Sequence, residues 1–229
     1  LNPQYGSIQK LHTRDTDIVT FCEDKVWKVL ADKNILYNAD GSGNVGSSKS
    51  FLGTATTFKG EYGISKNPES FAASGFRLYF ADKNRASVLR LSADGITNIS
   101  EKGMKDWFSD NLTPLTTKIL GSFDKRKSLY NITIEGGMFE DVPDNIDDAV
   151  VDSSGGGCNC DKEVKSRRAS SYSAGDPIAF HKTLSFSEKA KGWTSFKSFL
   201  PESGVSINNN YYTFNEGHLY KHHANKVRN

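Results

Sequence analysis

Short runs in which apolar and polar positions alternate, or in which aromatics cluster, dominate this chain. A period of two is the signature of a strand with one face buried. The clearest runs are Asp17–Cys22, Val26–Leu30, Phe76–Ala81, Ser87–Leu91, Ser128–Ile134, Ile178–Ser185, Trp193–Phe199, Tyr211–Phe214 and His218–Lys221. Clusters of Asp, Asn, Gly, Ser or Lys separate them, and such residues turn a chain sharply. Short strands joined this tightly predict antiparallel hairpins. One segment has helical spacing instead. Met104, Trp107, Phe108 and Leu112 fall on one face, and Ser100 is placed to cap a short packing helix near 101–112. Gly103 weakens that helix.

Three of the hairpins resemble one another. Phe80-Ala81-Asp82-Lys83 leads into Val88-Leu89-Arg90-Leu91, Phe123-Asp124-Lys125 into Leu129-Tyr130-Asn131-Ile132, and Phe186-Ser187-Glu188-Lys189 into Trp193-Thr194-Ser195-Phe196. Each is an aromatic strand end, an acid-Lys turn and a new strand. Phe21-Cys22-Glu23-Asp24-Lys25-Val26-Trp27 is a weaker fourth copy, followed by the turn-rich tract Asn38–Asn44. Asp82 and Asp124 are 42 residues apart, and Asp124 and Glu188 are 64 apart with an apparent insertion between. A repeat near forty residues built of paired hairpins is the pattern of a β-propeller blade. The fold class expected is therefore all-β and mainly antiparallel, a β-propeller or propeller fragment, with a β-sandwich as the alternative. Phe80, Tyr130 and Trp193 are expected in the core.

Residues 138–175 break the pattern. The tract begins acidic with Glu140, Asp141, Asp144, Asp147 and Asp148, passes through Ser153-Ser154-Gly155-Gly156-Gly157, and turns basic at Lys162, Lys165, Arg167 and Arg168. It holds too little apolar surface to offset the entropy of ordering, so a flexible insertion loop is expected. The whole chain, 1–229, reads as a single β-rich module that carries this loop. Its start, Leu1-Asn2-Pro3 without a methionine, suggests a module excised from a larger protein.

Composition narrows the classes. A chain of 229 residues can bury roughly 70% of its unfolded surface and needs no disulfide or metal to fold. Lys and Arg total 29 and Asp and Glu 27, so the net charge of +2 offers no overall attraction to nucleic acid. No apolar run approaches the roughly 18 residues of a membrane helix. The cysteines are Cys22, Cys158 and Cys160, an odd number that sets no disulfide framework, and no second pair completes a zinc set around Cys158-Asn159-Cys160.

The motifs that carry chemistry are missing. There is no GxSxG elbow, no Gly-Lys-Ser/Thr closing a phosphate loop, and no HExxH. His218 and His222 have the spacing of a helical metal pair but follow the turn Asn215-Glu216-Gly217 on a strand-like segment. Asp40-Gly41-Ser42-Gly43-Asn44 begins like a calcium loop, yet Phe51 stands where the bidentate Glu would be. Lys25-Val26-Trp27-Lys28 and Phe76-Arg77-Leu78-Tyr79 interleave bases with aromatics only mildly, as half-exposed strands do. No catalytic, cofactor-binding or metal residue is assigned, and no enzyme activity is expected. A propeller glycosidase would need several acids converging on one pocket. A receptor- or carbohydrate-binding β module would need exposed Trp or Tyr in a concave loop cluster, and the three tryptophans, Trp27, Trp107 and Trp193, are all expected mainly in the core.

Two longer segments carry a resemblance. One runs from Gly60-Glu61-Tyr62-Gly63-Ile64-Ser65-Lys66-Asn67-Pro68 through Phe76–Arg85 to Val88-Leu89-Arg90-Leu91-Ser92-Ala93-Asp94-Gly95-Ile96. The other runs from Gly192-Trp193-Thr194-Ser195-Phe196-Lys197-Ser198-Phe199 to Asn215-Glu216-Gly217-His218-Leu219-Tyr220. Together they resemble the stabilization proteins, or tail-nozzle (muzzle) proteins, of crAss-like and related short-tailed bacteriophages. The resemblance covers most of the chain outside 138–175. It implies a structural virion protein of the phage tail, assembled in the cytoplasm of the bacterial host. Its implied partners are other copies of itself in a ring, other tail proteins, and genomic DNA passing through the channel without specific binding. It implies no cofactor and brings no site residue. A near-neutral chain suits such a channel, because tight binding would hinder DNA release.

Overall fold

A computed structural model describes residues 3–14, 17–38, 42–113, 115–137 and 179–224, and in them strands follow one another in four antiparallel sheets. The first sheet holds β1 (Ile8–Thr13), β2 (Asp17–Cys22), β3 (Val26–Tyr37) and β4 (Gly43–Thr57). The second holds β5 (Ala72–Ser74), β6 (Arg77–Asp82), β7 (Ser87–Ser92) and β8 (Gly95–Asn98). The third holds β9 (Thr116–Asp124), β10 (Leu129–Gly137), β11 (Ala179–Ser187) and β12 (Gly192–Lys197). The fourth has β13 (Ser203–Ile207), β14 (Asn210–Asn215) and β15 (His218–Lys221). Within each sheet, sequence order is spatial order, so every described sheet is a meander and the all-β antiparallel class holds.

The alternation along the strands becomes a layered packing. In β6 and β7, Leu78, Phe80, Leu89 and Leu91 face one way and join Val19, Phe21 and Val26 of the first sheet. The intervening Tyr79, Ala81 and Val88 face the other way and join Ile119, Phe123, Tyr130, Ile132, Leu184 and Phe186 of the third. A strand buried on both faces reads as a nearly continuous apolar run, as Leu78–Ala81 and Val88–Leu91 do. The third sheet turns Ser122, Asn131, Thr133, Thr183 and Ser185 to its far side, where Ser122 meets Tyr211 of the fourth sheet, and all five are buried.

The leading strands of the sheets lie near one another. β5 packs against β9 and β9 against β13. On β1, the His12 ring stands 5.2 Å from that of Phe71, which directly precedes β5. Two glycines permit the close approach between sheets. A Cβ on Gly63 would stand 2.0 Å from the Glu23 carbonyl oxygen, and one on Gly121 would stand 1.9 Å from that of Ser70. The Tyr130 hydroxyl donates to the same Ser70 oxygen at 2.8 Å, fixing the third sheet to the connection before β5.

Several expected details change. The similar hairpins do not fall one per sheet: Asp82 ends β6 in the second, while Asp124 and Ser187 end β9 and β11, both in the third. The resemblance lies in turn chemistry. Asp82 Oδ1 accepts from Arg85 N, Asp124 Oδ1 accepts from Arg126 N and Lys127 N, and Ser187 Oγ accepts from Ala190 N. Any tight hairpin can use such a cap. The helix, α1 (Lys105–Asn111), starts later than Ser100, which is not its cap. Gly103 has φ +85, which breaks the helical path, and the Ser100 hydroxyl donates to Asn98 Oδ1 instead. Its predicted face is right: Phe108 and Leu112 are buried, with Met104 and Trp107 packed beside them. β4, rich in Ser and Gly, was not foreseen, since its order comes from pairing with β3. The expected insertion 138–175 lies outside the described residues.

Candidate assembly surfaces

The three seams between sheets position everything on the surface. At the first, Asp82 is fully buried and its carboxylate collects four donors. Gly63 N lies 3.1 Å and Arg85 Nη1 2.9 Å from Oδ2, with Ser65 Oγ 2.9 Å and Arg85 N 3.3 Å from Oδ1. Arg85 spans the seam to Asp24 at 3.1 Å. A buried carboxylate persists because it is paired and saturated with hydrogen bonds.

At the second seam, the Tyr79 ring stacks on Tyr130 (centroids 4.8 Å apart) and Phe123 (5.6 Å). Its hydroxyl donates to Glu188 Oε1 at 2.5 Å. Burial first, then this carboxylate, pushes the Tyr79 phenol well above its ordinary range. Arg90 and Arg77 meet the other Glu188 oxygen at 3.1 and 3.7 Å. The Trp193 indole donates to the Ile99 carbonyl at 2.9 Å.

The third seam is polar. The Tyr211 and Ser122 hydroxyls are 2.7 Å apart, and Ser206 Oγ donates to the Phe123 carbonyl. His223 Nε2 lies 2.8 Å from Asp124 Oδ2, and His222 Nε2 lies 2.7 Å from Thr213 Oγ1. The His222 ring rests 4.4 Å from Phe199 and 5.0 Å from Tyr211. Burial, then the neighbouring His223, lowers the His222 pKa. Lys197, beside it, is lowered by burial and then by Lys127. A shallow cleft there is lined by Asp124, Asn131, Lys197, Phe199, His222 and His223. It holds an acid, a base and a cation, and the Thr213 hydroxyl meets His222 beside it. Its side chains bond one another across the seam, which makes it a clasp joining two sheets.

Residues singled out from sequence are scattered. His218 lies on exposed β15, whereas His222 turns into the seam, so the two do not converge. Cys22 is a buried free thiol whose pKa is raised by burial. Cys158, Cys160 and Gly41 lie outside the described residues. Among the described residues, no group of three His, Cys, Asp or Glu could hold a metal ion. Trp27 packs edge-on to Tyr5, Trp107 to Phe108 and Phe196, and Trp193 to Phe186. No described helix is long and apolar enough to cross a membrane.

Sequence reasoning missed the outer faces. The second and third sheets bury residues on both sides, as Asp17–Cys22 of the first sheet does, but the fourth leaves one side open. On the fourth, Val205 and Ile207 are 40% and 54% exposed, and the register places Phe214 and Leu219 on the same side. On the first, Leu11 is 57% exposed on the side away from Phe21. Past Leu30, β3 and β4 continue as a two-stranded ribbon with Val45, Phe51 and Leu52 in the open. Contiguous exposed apolar surface marks contact with another protein.

The comparison with protein families agrees in kind. A family model described as the Crassvirus muzzle protein matches residues 1–217. No curated protein matches the chain. A match of that extent makes the chain a structural protein of a phage virion.

Proposed function

The chain belongs to the Crassvirus muzzle protein family, and on that premise we propose that it is a β-propeller-type module of a short-tailed phage's tail muzzle. It works as part of a larger protein, in a ring of its own copies and beside other tail proteins, around a channel that retains and then releases the genome. Beyond the family match, one observation carries this reading. Four meander sheets pack in chain order with their leading strands near one another, and the last of them keeps an apolar face uncovered. A stack of this kind is completed by further sheets, from the same polypeptide or a neighbouring copy, and head-to-tail contacts between copies close into rings. The ordered side chains are spent on joining sheets, as a mechanical component requires, and no enzyme activity is part of the reading.

Negative-stain imaging of the full-length protein with its tail partners tests it. Rings of this protein at the tail's distal end are expected. A monomer that stays free of purified virions overturns it.

A further inference from the structure

The near-neutral charge of the whole chain conceals a polarised end. The β9–β10 turn carries Lys125, Arg126 and Lys127, and the β11–β12 turn carries Lys189 and Lys191. Leu129 on β10 pairs with Asp124 on one side and Ser187 on the other, so both turns leave the same end of the third sheet. Strand spacing puts the two turns about 10 Å apart. All five side chains belong to exposed residues, and none is ion-paired with a described carboxylate.

The two acids in these turns are spent inward. Asp124 is buried, accepts from Arg126 N and Lys127 N, and meets His223. Glu188 is held by Tyr79, Arg90 and Arg77. The neighbouring turn, Asn208-Asn209, is uncharged, and its strand is tied here by Lys125 N donating to Ser206 Oγ at 3.1 Å. The Arg126 guanidinium donates to the His223 carbonyl, at 3.4 Å. Lys197 nearby is lowered by burial first and then by Lys127, in keeping with positive charge at this end.

We infer that this end of the third sheet, through Lys125, Arg126, Lys127, Lys189 and Lys191, binds the phosphate backbone of double-stranded DNA without regard to sequence. The inference rests on the channel reading only for which polyanion the surface meets. Exposed cations on two open turns, with no pocket and no planar fork-to-base geometry, read a line of charge rather than a particular ligand. Five phosphate contacts predict a log–log salt slope of about −4.5, or about 500-fold weaker binding between 50 and 200 mM salt. Such contacts hold DNA loosely and let it slide.

The test is fluorescence anisotropy of the 229-residue chain with a short mixed-sequence duplex across a salt series. Alanine at all five positions should weaken binding by at least about 100-fold at low salt and flatten the slope. Alanine at Lys59, Lys66, Lys102, Lys105 and Lys182 makes the same charge change elsewhere and should cost less than about 3-fold. Equal losses in both variants, or none in the first, overturn the inference. Tighter binding of poly-glutamate than of DNA at equal salt also overturns it and makes the partner an acidic protein. Lysine acetylation of the unaltered chain needs no variant: DNA should protect Lys125, Lys127, Lys189 and Lys191 but not Lys59 or Lys102. Negative-stain imaging of the full-length protein with its tail partners keeps the two readings apart. Rings without selective DNA loss sink this inference alone, and selective loss without rings sinks the assembly reading alone.

Discussion

The two faces of the third sheet are built from alternate residues of the same strands, yet they are held by different forces. One face is Ile119, Phe123, Tyr130, Ile132, Leu184 and Phe186 against the second sheet. The other is Ser122, Asn131, Thr133, Thr183 and Ser185, equally shut off from solvent on the side of the fourth sheet. There, Thr133 and Thr183 hydroxyls lie 2.8 Å apart, and Ser185 Oγ donates to Asn131 Oδ1 at 2.5 Å. Burial of apolar area is non-directional and large in sum. A satisfied buried hydrogen bond contributes only about 1 kcal/mol net, but leaving one partner unmet costs more. The apolar face thus stabilises the fold, while the polar face ties β10 to β11 and reaches the fourth sheet where Ser122 meets Tyr211.

Removing a large ring from the apolar face should have the greatest effect. Phe186→Ala deletes a side chain packed 5.4 Å from Trp193 and should cost about 3–5 kcal/mol in urea unfolding. A cost no larger than that of a polar-face change would erase the proposed division of labour.

Next is Gly121→Ala, whose new methyl would collide with the Ser70 carbonyl. The backbone must give way, at about 1–3 kcal/mol by thermal or urea melting. An unchanged midpoint would mean that the second seam is not close-packed there.

On the polar face, Thr183→Val strands the Thr133 hydroxyl and should cost about 1–3 kcal/mol. Changing both threonines to Val should recover most of that loss, because no buried group is then left without a partner. Additive losses in the double variant would show that the pair is not a mutually satisfied unit.

The smallest effect is that of pH on the fourth sheet. Burial chiefly, with His223 next, holds His222 below its ordinary value of 6.5 in the folded chain. The unfolded chain therefore binds this proton more readily, so His222 favours the folded state when neutral. Its contribution is complete above about pH 6.5 and fades as pH falls through the lowered folded value. Hydrogen exchange over residues 203–221 should speed up on acidification, and His222→Gln should weaken that response. His12 is lowered by burial and then by Arg14 and Lys10, and it should act in the same direction at the first seam.

Much of the fold was legible residue by residue. Asp17–Cys22 and His218–Lys221 match β2 and β15, and Phe80, Tyr130 and Trp193 all pack in or beside a core, because side chains on a strand alternate faces by covalent geometry. Weak strands were missed where pairing overrides propensity: β4 is Ser- and Gly-rich, and β5 is only Ala-Ala-Ser. The acid-Lys turns were seen as a repeat, but their second role was not visible. Asp82 and Asp124 cap their own turns with one oxygen, and with the other they meet Gly63 and His223, 19 and 99 residues away. A local motif carries no information about so distant a donor.

The sequence by itself determined the hairpins, their turns and which residues share a face, because these depend on a period of two and on chemistry within a few positions. Only the tertiary structure decided which faces are dry. Alternation marks Asn131, Thr133, Thr183 and Ser185 as polar, and polar positions on a strand are normally wet. They are buried here, and each finds a partner on an adjacent strand. The tertiary structure also gathered the five cations of two turns at one end while drawing Asp124 and Glu188 inward. Composition averages charge over the whole chain, whereas a field arises from where the charges stand.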